Sequence, residues 1–268
     1  MTYVKQTTVY RWPDSSTTQD LVACEEPLEL RVEGKPMVVT MRTPGHDIEL
    51  AAGFLYSEGV VDGLDDFAAI DLLPLPEKVP SNVVDCVLAG GVSLHAEALQ
   101  RATRGPIASS SCGLCGKTQI QDILRRIPKL KTQKRLTPEE ILPLPKRLSD
   151  AQVGFKETGG LHGAGLFDFD GTLEVIREDI GRHNAVDKII GYRLLEDNVP
   201  IDDRILVISS RASFEIVQKA ANARIPVIVA MGAASSLAIE LANDVGMALY
   251  GFVGGTRFNQ YSPLSSLP

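Results

Sequence analysis

Residues 205–253 read ILVISSRASFEIVQKAANARIPVIVAMGAASSLAIELANDVGMALYGFV, and they alternate short apolar runs with amphipathic segments. Apolar runs of about four to eight residues between turn residues are typical of buried strands, whereas apolar residues three and four positions apart are typical of helices. The alternation predicts strands at 205–209, 227–230 and 247–253, and helices at 213–223 and 236–245. Such continuous apolar strands favour a sheet that is covered on both faces.

A β-hairpin and a further helix are predicted upstream of this stretch. Asp170-Gly171 is a strong hairpin signal between predicted strands at 166–169 and 173–177. A helix is predicted over 184–196. A hairpin followed by repeated helix–strand units predicts a three-layer α/β domain with a mixed sheet.

The first half of the chain predicts a second, smaller α/β unit. After a polar leader, the pattern predicts a hairpin of strands 28–32 and 37–42, a helix at 49–57, and strands at 67–73 and 83–88. The stretch 128–145 is rich in Lys, Pro and Leu, which is typical of a boundary between domains. We therefore predict an N-terminal domain over 1–128, a linker over 129–145 and a C-terminal domain over 146–268.

Composition excludes several classes of protein. The formal net charge of −7 argues against a general nucleic-acid binder, because such domains carry a basic balance or stripe. No apolar run reaches about 18 residues, so no membrane span is expected. The polar N-terminus lacks the layout of a signal peptide, which favours a cytoplasmic setting. Four cysteines in 268 residues do not predict a disulfide scaffold.

The motif with the most chemical content is Cys112-Gly-Leu-Cys115, which lies in the Ser- and Gly-rich run 109–117. A helix is predicted to follow it, so both thiols lie at or just before a helix N-terminus. Unpaired N–H groups and the positive dipole end there favour the thiolate over the thiol. Lys117 adds a nearby positive charge. The pattern is typical of a cysteine pair that carries or exchanges sulfur.

Four interpretations of this pair are open from the residues alone: covalent sulfur carriage, thiol–disulfide exchange, a zinc site, and two incidental thiols. A four-cysteine zinc site usually combines two CxxC units, and the chain has one. This weakens the zinc interpretation but leaves it open at this point. Thioredoxin-like exchange is weakened because no βαβ context is evident around the pair.

Three segments of the second half suit an anion site. They are 158–165, which is rich in glycine, 177–184, which carries two arginines and a histidine, and 209–213, which is Ser-Ser-Arg-Ala-Ser. The last two join a strand to a helix, where free N–H groups, hydroxyls and arginines bind phosphate well. The segment 251–257 follows the last predicted strand and joins this group.

Five blocks of the chain match one known family: TPGHDIELAAGFLYSEGVV (43–61), SCGLCGK (111–117), TGGLHGAGLF (158–167), REDIGRHNAVDKIIG (177–191) and ISSRASFEIVQKAANARIPVIVAMGAASSLAIELA (208–242). In these residues the chain strongly resembles the FdhD family of formate dehydrogenase accessory sulfurtransferases. The matching region spans nearly the whole chain, which makes the resemblance far more specific than a lone CxxC.

The resemblance implies a particular architecture. It implies a smaller N-terminal α/β domain, a C-terminal domain with a cytidine-deaminase-like fold, and a homodimer. In that fold the zinc ligands would lie at the starts of the helices near Asn184 and Ser213. Residues 209–215 contain no cysteine, so the resemblance implies a deaminase-like scaffold that lacks the zinc site, with no zinc or other metal bound.

The resemblance also implies a function. The protein would take sulfur from a cysteine desulfurase as a persulfide on Cys112, with Cys115 relaying the sulfur or releasing it through a disulfide. It would pass this sulfur to the molybdenum cofactor in its bis(molybdopterin guanine dinucleotide) form, a guanine-nucleotide-containing substrate, and so activate the formate dehydrogenase apoprotein. Two alternatives stay open: a non-catalytic cofactor-binding chaperone and a thiol–disulfide exchange protein.

The resemblance assigns cofactor binding to residues of the predicted anion site. These are Arg182, His183, Ser209, Ser210, Arg211, Phe252, Val253, Gly254, Gly255, Thr256 and Arg257. The family often carries an arginine where this chain has Gly254, so one charged phosphate contact is expected to be missing or supplied by Arg257.

Overall fold

The computed structural model describes residues 3–74, 81–90, 127, 129–130 and 135–262. Within these ranges the strands form three sheets of two, four and six strands. The first two sheets come from the N-terminal part of the chain and the third from the C-terminal part. The structure is therefore a mixed α/β protein, as the sequence predicts.

The N-terminal strands are β1 Val4–Arg11, β2 Ser16–Ala23, β3 Glu26–Val32, β4 Lys35–Arg42, β5 Phe67–Leu72 and β6 Val83–Leu88. Strands β1 and β2 pair with each other, and the four-stranded sheet has the order β4-β3-β6-β5. Helix α1, Asp47–Ser57, follows β4. The predicted hairpin, helix and two strands are confirmed. The description of the first residues as a polar leader is corrected, because they form strands β1 and β2.

The six-stranded sheet consists of β7 His162–Phe167, β8 Leu173–Asp179, β9 Ile205–Ile208, β10 Val227–Ala230, β11 Ala248–Gly254 and β12 Arg257–Ser262. Its order is β12-β11-β10-β9-β7-β8. Strands β9, β10 and β11 are parallel, whereas β7, β8 and β12 run antiparallel to their neighbours. The predicted mixed sheet is confirmed, and β12 is an addition that the sequence pattern did not predict.

The remaining helices are α2 Pro138–Ile141, α3 Leu144–Ala151, α4 Val153–Thr158, α5 Arg182–Leu195, α6 Phe214–Asn222 and α7 Ser236–Val245. Alternate residues of a strand point to opposite faces of the sheet. In β9, Leu206 packs with residues of α5, α6 and α7, whereas Val207 packs with residues of α2 and α3. Helices thus cover both faces, which explains the continuous apolar runs. No helix in the described part of the chain is long and apolar enough to cross a membrane.

Helices α1 and α5 join the two parts of the chain by direct backbone contact. A Cβ atom on Gly53 would lie 1.8 Å from the Asp187 carbonyl oxygen, and one on Gly191 would lie 1.8 Å from the Glu49 carbonyl oxygen. Each helix therefore needs glycine at the crossing. Residues of both parts share one core cluster, which includes Leu50 and Ile189.

The predicted linker over 129–145 contains helix α2 and the first residues of α3. Ile141 and Leu144 are fully buried against the sheet, so this stretch also contributes to the core. The domain boundaries at 1–128 and 146–268 stay a prediction. The likeness to cytidine deaminases stays a prediction as well.

Candidate functional site

The candidate site lies at the carboxyl ends of β9, β10 and β11, beside the first turns of α5 and α6. Ligands in open α/β sheets bind outside the carboxyl ends of parallel strands, because loops and helix N-termini meet there. The structure brings together Ser209, Ser210, Arg211, His183 and Phe252 in this region, as the following contacts show.

Backbone hydrogen bonds fasten the loop after β9 to the loop after β10. The Gly232 amide donates to the Ser210 carbonyl oxygen at 3.1 Å, and the Ala212 amide donates to the Ala233 carbonyl oxygen at 2.9 Å. A Cβ atom on Gly232 would lie 2.9 Å from the Arg211 backbone nitrogen, so this close approach requires glycine. The two loops therefore form one rigid edge to the site.

Phe252, in β11, is attached to the same edge. Its amide donates to the Gly232 carbonyl oxygen at 3.0 Å. Its φ is 51°, which is the left-handed region that phenylalanine rarely adopts, and half of its side chain is exposed. A bulky residue held in this conformation stores strain, and such positions cluster at functional sites.

Ser209 and Ser210 of the predicted anion segment hold the loop through hydrogen bonds. Ser209 Oγ accepts a hydrogen bond from the Gly163 amide at 3.0 Å. Ser210 is buried, and its hydroxyl donates to the Arg211 carbonyl oxygen at 3.1 Å. Arg211 itself is exposed and has no acidic partner among the residues that the structure describes. The cation that this segment offers to a ligand is therefore Arg211.

His183 lies in the first turn of α5 and faces the start of α6. Its Nε2 atom is 3.3 Å from Ser213 Oγ and 3.9 Å from a carboxylate oxygen of Glu215. Burial lowers the pKa of His183 to about 4, and the positive charges of Arg182 and Lys219 act in the same direction. The imidazole is therefore neutral at physiological pH and offers one donor and one acceptor nitrogen.

Arg182 precedes His183 and has an unsatisfied polar atom. Its Nε atom is buried and has no hydrogen-bond partner within the described ranges. Buried donors without partners are rare in proteins, and a bound ligand is one explanation for them. Arg182 also lowers the pKa of His162, although burial is the larger cause. His162 begins β7 and has no role assigned from the sequence. It lies in the glycine-rich segment 158–165, which the sequence analysis includes among the anion-binding segments.

A buried ion pair positions the turn that leads into Arg182. Lys188 Nζ lies 2.7 Å from Asp179 Oδ2, and both side chains are essentially inaccessible to solvent. Asp179 also accepts hydrogen bonds from the Gly181 amide at 2.8 Å and from Asn184 Nδ2 at 3.0 Å. These bonds fix the turn between β8 and α5, and thereby the start of α5.

Arg177, which belongs to the predicted segment 177–184, is engaged in an ion pair with Glu49 of α1. Its Nε and Nη2 atoms donate to the two carboxylate oxygens of Glu49 at 2.5 and 2.7 Å. Its guanidinium also lies over the Tyr192 ring, 5.1 Å from the centroid. This bidentate pair uses the charge of Arg177 to fasten β8 to α1.

The rest of the predicted binding segment forms a β-hairpin. Val253 is buried against the face of the sheet that α2 and α3 cover. Gly254 pairs with Arg257 across the turn, and Gly255, Thr256 and Arg257 are exposed. The contacts above connect Phe252 to the loops of the site, whereas the roles of the other residues of this hairpin stay a prediction.

Cys112 and Cys115 lie outside the described residues. Their assignment as the sulfur-carrying pair therefore stays a prediction. The described part of the chain holds no group of three or more His, Cys, Asp or Glu residues that suits a metal ion. A zinc site in this chain would use Cys112 and Cys115, which lie outside the described residues. The expectation of no zinc therefore stays a prediction too.

The comparisons with known proteins agree on one family. Residues 23–267 match the family model described as "FdhD/NarQ family". Proteins named "Sulfur carrier protein FdhD" are similar to this chain. The one from Corynebacterium efficiens is 44% identical over 253 residues, covering 92% of this chain and 91% of that protein. The one from Streptomyces coelicolor is 46% identical, covering 92% and 89%.

A solved structure has the same fold. It is a putative formate dehydrogenase accessory protein from Desulfotalea psychrophila, with a TM-score of 0.75 and 22% identity, and the alignment covers 99% of this chain and 98% of that one. At this identity the likeness bears on the fold alone. The family model spans most of the chain, and the relatives exceed 40% identity over nine-tenths of it. The chain therefore belongs to the FdhD/NarQ family.

Proposed function

We propose that this protein is a sulfurtransferase that carries persulfide sulfur from a cysteine desulfurase to the molybdenum cofactor, and so activates formate dehydrogenase. The observation that carries the proposal is the family membership, since relatives above 40% identity are named sulfur carrier proteins. The single CxxC motif at Cys112 and Cys115 supplies the thiols that this chemistry requires.

The first step is a thiol exchange at Cys112. Its thiolate attacks the terminal sulfur of the persulfide on the desulfurase, forms a new S–S bond, and releases the desulfurase cysteine as a thiolate. Cys115 then assists in one of two ways. It accepts the terminal sulfur as a relay, or it attacks Cys112 Sγ and releases that sulfur as hydrosulfide. The second route leaves a Cys112–Cys115 disulfide, which a cellular dithiol reductant must reduce.

The molybdenum cofactor enters this proposal as a substrate that the site at the sheet edge holds. The exposed guanidinium of Arg211 and the buried Nε atom of Arg182 suit the phosphates of a guanine dinucleotide. Ser213 makes no side-chain cap on α6 in the described part of the chain, so the first-turn N–H groups beside His183 are left to bind an anion. Phe252 and the hairpin through Val253, Gly254, Gly255, Thr256 and Arg257 complete the proposed site.

The proposal includes the finer architecture that the family resemblance implies. The six-stranded sheet with helices on both faces is taken as a cytidine-deaminase-like scaffold without zinc. Two copies associate as a homodimer, and the protein works in the cytoplasm with a cysteine desulfurase and the formate dehydrogenase apoprotein as partners.

Peptide mass spectrometry under non-reducing conditions tests sulfur carriage. We would incubate the purified protein with a cysteine desulfurase and L-cysteine, and then digest it. The peptide that carries Cys112 should gain the mass of one sulfur atom, and Cys112→Ala should abolish this gain. Cys115→Ala is the matched control, because it removes the neighbouring thiol and leaves the proposed carrier.

Two outcomes would overturn the proposal. An unmodified Cys112 thiol, with formate dehydrogenase still activated by Cys112→Ala, would favour a non-catalytic cofactor-binding chaperone. A Cys112–Cys115 disulfide without added sulfur, and an equal need for both cysteines, would favour thiol–disulfide exchange.

A further inference from the structure

Strands β1 and β2 form a hairpin arm that is exposed along most of its length. Within the described residues they pair with each other and with no other strand. The eight paired residues of each strand extend about 26 Å at the usual rise per residue. The arm is fastened at its base, where the Tyr3 hydroxyl donates to Glu157 of α4 at 3.2 Å. A two-stranded hairpin alone is marginally stable in water, so this arm needs further cover.

Exposed apolar side chains lie at the tip of the arm and along its base half. At the tip, Trp12 is 81% exposed and Tyr10 is 63% exposed. In the base half, Tyr3, Leu21 and Val22 are exposed. Helix α4, beside Tyr3, exposes Val153 and Phe155. If a second arm lies antiparallel to the first, the tip patch of each arm meets the base patch of the other.

The open edge of β1 offers backbone groups for such pairing. The Cys24 amide donates to the Tyr3 carbonyl oxygen at 2.9 Å. Because paired residues of antiparallel strands alternate between bonding inward and outward, Lys5, Thr7 and Val9 also bond to β2. The N–H and C=O groups of Val4, Gln6, Thr8 and Tyr10 therefore point to the open edge.

We propose that the occupant of this edge is the β1 strand of a second copy of the chain, paired antiparallel about a two-fold axis at Thr7. In this register Val4 lies opposite Tyr10 and Gln6 lies opposite Thr8, so the four outward-bonding residues of one copy meet those of the other. β-Branched and aromatic cross-strand pairs stabilise sheets. The tip of each arm then reaches the exposed base of the other. The inference concerns the two-copy assembly of the proposed function and is independent of sulfur carriage.

Charge disfavours the neighbouring register whose two-fold axis lies at Thr8. That register would place Lys5 directly opposite Arg11, and like charges in opposed positions are destabilising. In the proposed register Lys5 lies opposite Val9, and Arg11 lies opposite Tyr3 of the second copy. The hydroxyl of Tyr3 is bonded to Glu157, so the register also brings Arg11 toward a carboxylate.

Two proline substitutions, one on each outer edge of the arm, test whether the β1 edge forms the dimer interface. Thr8 and Gln19 face each other in the arm, and Gln19 Nε2 donates to Thr8 Oγ1 at 2.9 Å. Thr8→Pro removes an N–H from the open edge of β1, whereas Gln19→Pro removes one from the outer edge of β2. Both variants lose the same side-chain bond. Edge strands accept proline where the N–H faces outward.

Sedimentation equilibrium over a wide range of protein concentration provides the readout. Wild-type protein and Gln19→Pro should be dimeric. Thr8→Pro should raise the dissociation constant at least about tenfold, because each copy loses one N–H donor and the interface therefore loses two hydrogen bonds. The emission of Trp12, the only tryptophan in the chain, should shift to the blue as the dimer forms. Monomeric wild-type protein, or equal behaviour of the two proline variants, would overturn the proposal.

A cysteine at the two-fold axis gives a second test that does not perturb the backbone. Opposed residues of a non-hydrogen-bonded pair have Cα atoms about 4.5 Å apart, which a disulfide spans. Thr7→Cys should therefore link two chains upon mild oxidation. Val9→Cys is the control, because its two copies would lie about 13 Å apart along the strands. With wild-type protein as the background for the native cysteines, equal cross-linking of the two variants would contradict the register.

Discussion

The imidazole of His183 is mostly buried at the first turn of α5, and it borders the loops that form the candidate site. Burial, together with the charges of Arg182 and Lys219, lowers its pKa to about 4. At neutral pH the site thus contains cationic arginines beside an uncharged histidine. This combination lets His183 bond to Ser213 without adding a charge that a neighbouring arginine would repel.

The lowered pKa of His183 predicts a loss of stability in mild acid. The unfolded chain binds a proton at histidine below about pH 6.5, whereas the folded protein does so only near pH 4. The contribution of His183 is therefore fully present above pH 6.5 and is lost as the pH falls toward 4. Between pH 7 and pH 5 this loss amounts to about 2 kcal/mol in the free energy of unfolding.

Urea denaturation at the two pH values measures this effect. His183→Gln keeps a hydrogen-bonding side chain beside Ser213 and cannot be protonated. The variant should therefore lose about 2 kcal/mol less stability than the wild type between pH 7 and pH 5. An equal loss in both proteins would mean that His183 titrates alike in the folded and unfolded chains.

Single residues also show what sequence can and cannot predict about the site. Ser209, Arg211 and His183 were found because they lie at strand–helix junctions, and adjacent strands bring such junctions together. Arg177 has the same local signal, yet its charge is bound by Glu49, which is 128 residues away in the chain. A partner at that separation leaves no trace in local sequence, so the pattern could not separate a structural arginine from a ligand-binding one.

At the scale of secondary structure elements, the crossing of α1 and α5 determines how the two parts of the chain meet. Glycines on both helices let the backbones touch, and the Glu49–Arg177 pair lies beside the crossing. The first turn of α5 carries Arg182 and His183, so the placement of α5 against α1 also places part of the candidate site.

The crossing predicts strong intolerance of a methyl group. Gly191→Ala would put a Cβ atom 1.8 Å from the Glu49 carbonyl oxygen, which forces the helices apart. We expect a loss of at least about 3 kcal/mol in the free energy of unfolding, at the upper end of overpacking effects. Gly63→Ala is the matched control, because its backbone is extended and a Cβ atom there meets no described atom within 4 Å. Chemical denaturation of both variants measures the difference, and similar losses would contradict the packing account.

The elements differ in how well sequence predicts them, for a physical reason. Strands β9 and β10 were found because all four residues of each are buried, which produces unbroken apolar runs. Strands β1 and β2 were missed because most of their residues are exposed and polar, so they carry no core-facing alternation. Of the hairpin of β11 and β12, only β11 was predicted. Strand β12 lies at the edge of the sheet and is mostly exposed or partly buried, so it has no continuous apolar run.

At the scale of the whole molecule, the two parts of the chain share buried groups as well as apolar core. Ser57 Oγ donates to Asp187 at 2.7 Å, and Lys219 Nζ donates to Ser57 Oγ at 3.0 Å and to Glu58 at 2.8 Å. These bonds link α1 to α5 and α6. Separation of the two parts would expose this apolar surface and leave these buried charges without their partners, which is costly.

This sharing predicts that the two proposed domains unfold together. Scanning calorimetry should give one transition, with a calorimetric enthalpy equal to the van't Hoff enthalpy of the unfolding unit. Circular dichroism in the far and near ultraviolet should follow the same curve, because sheets and core are lost in one step. Gly191→Ala provides the internal check: because the α1–α5 crossing links the two parts, this substitution should lower the single midpoint. Two resolved transitions in the wild-type protein would instead show that the N-terminal and C-terminal parts are stable separately and that their common core contributes little to either.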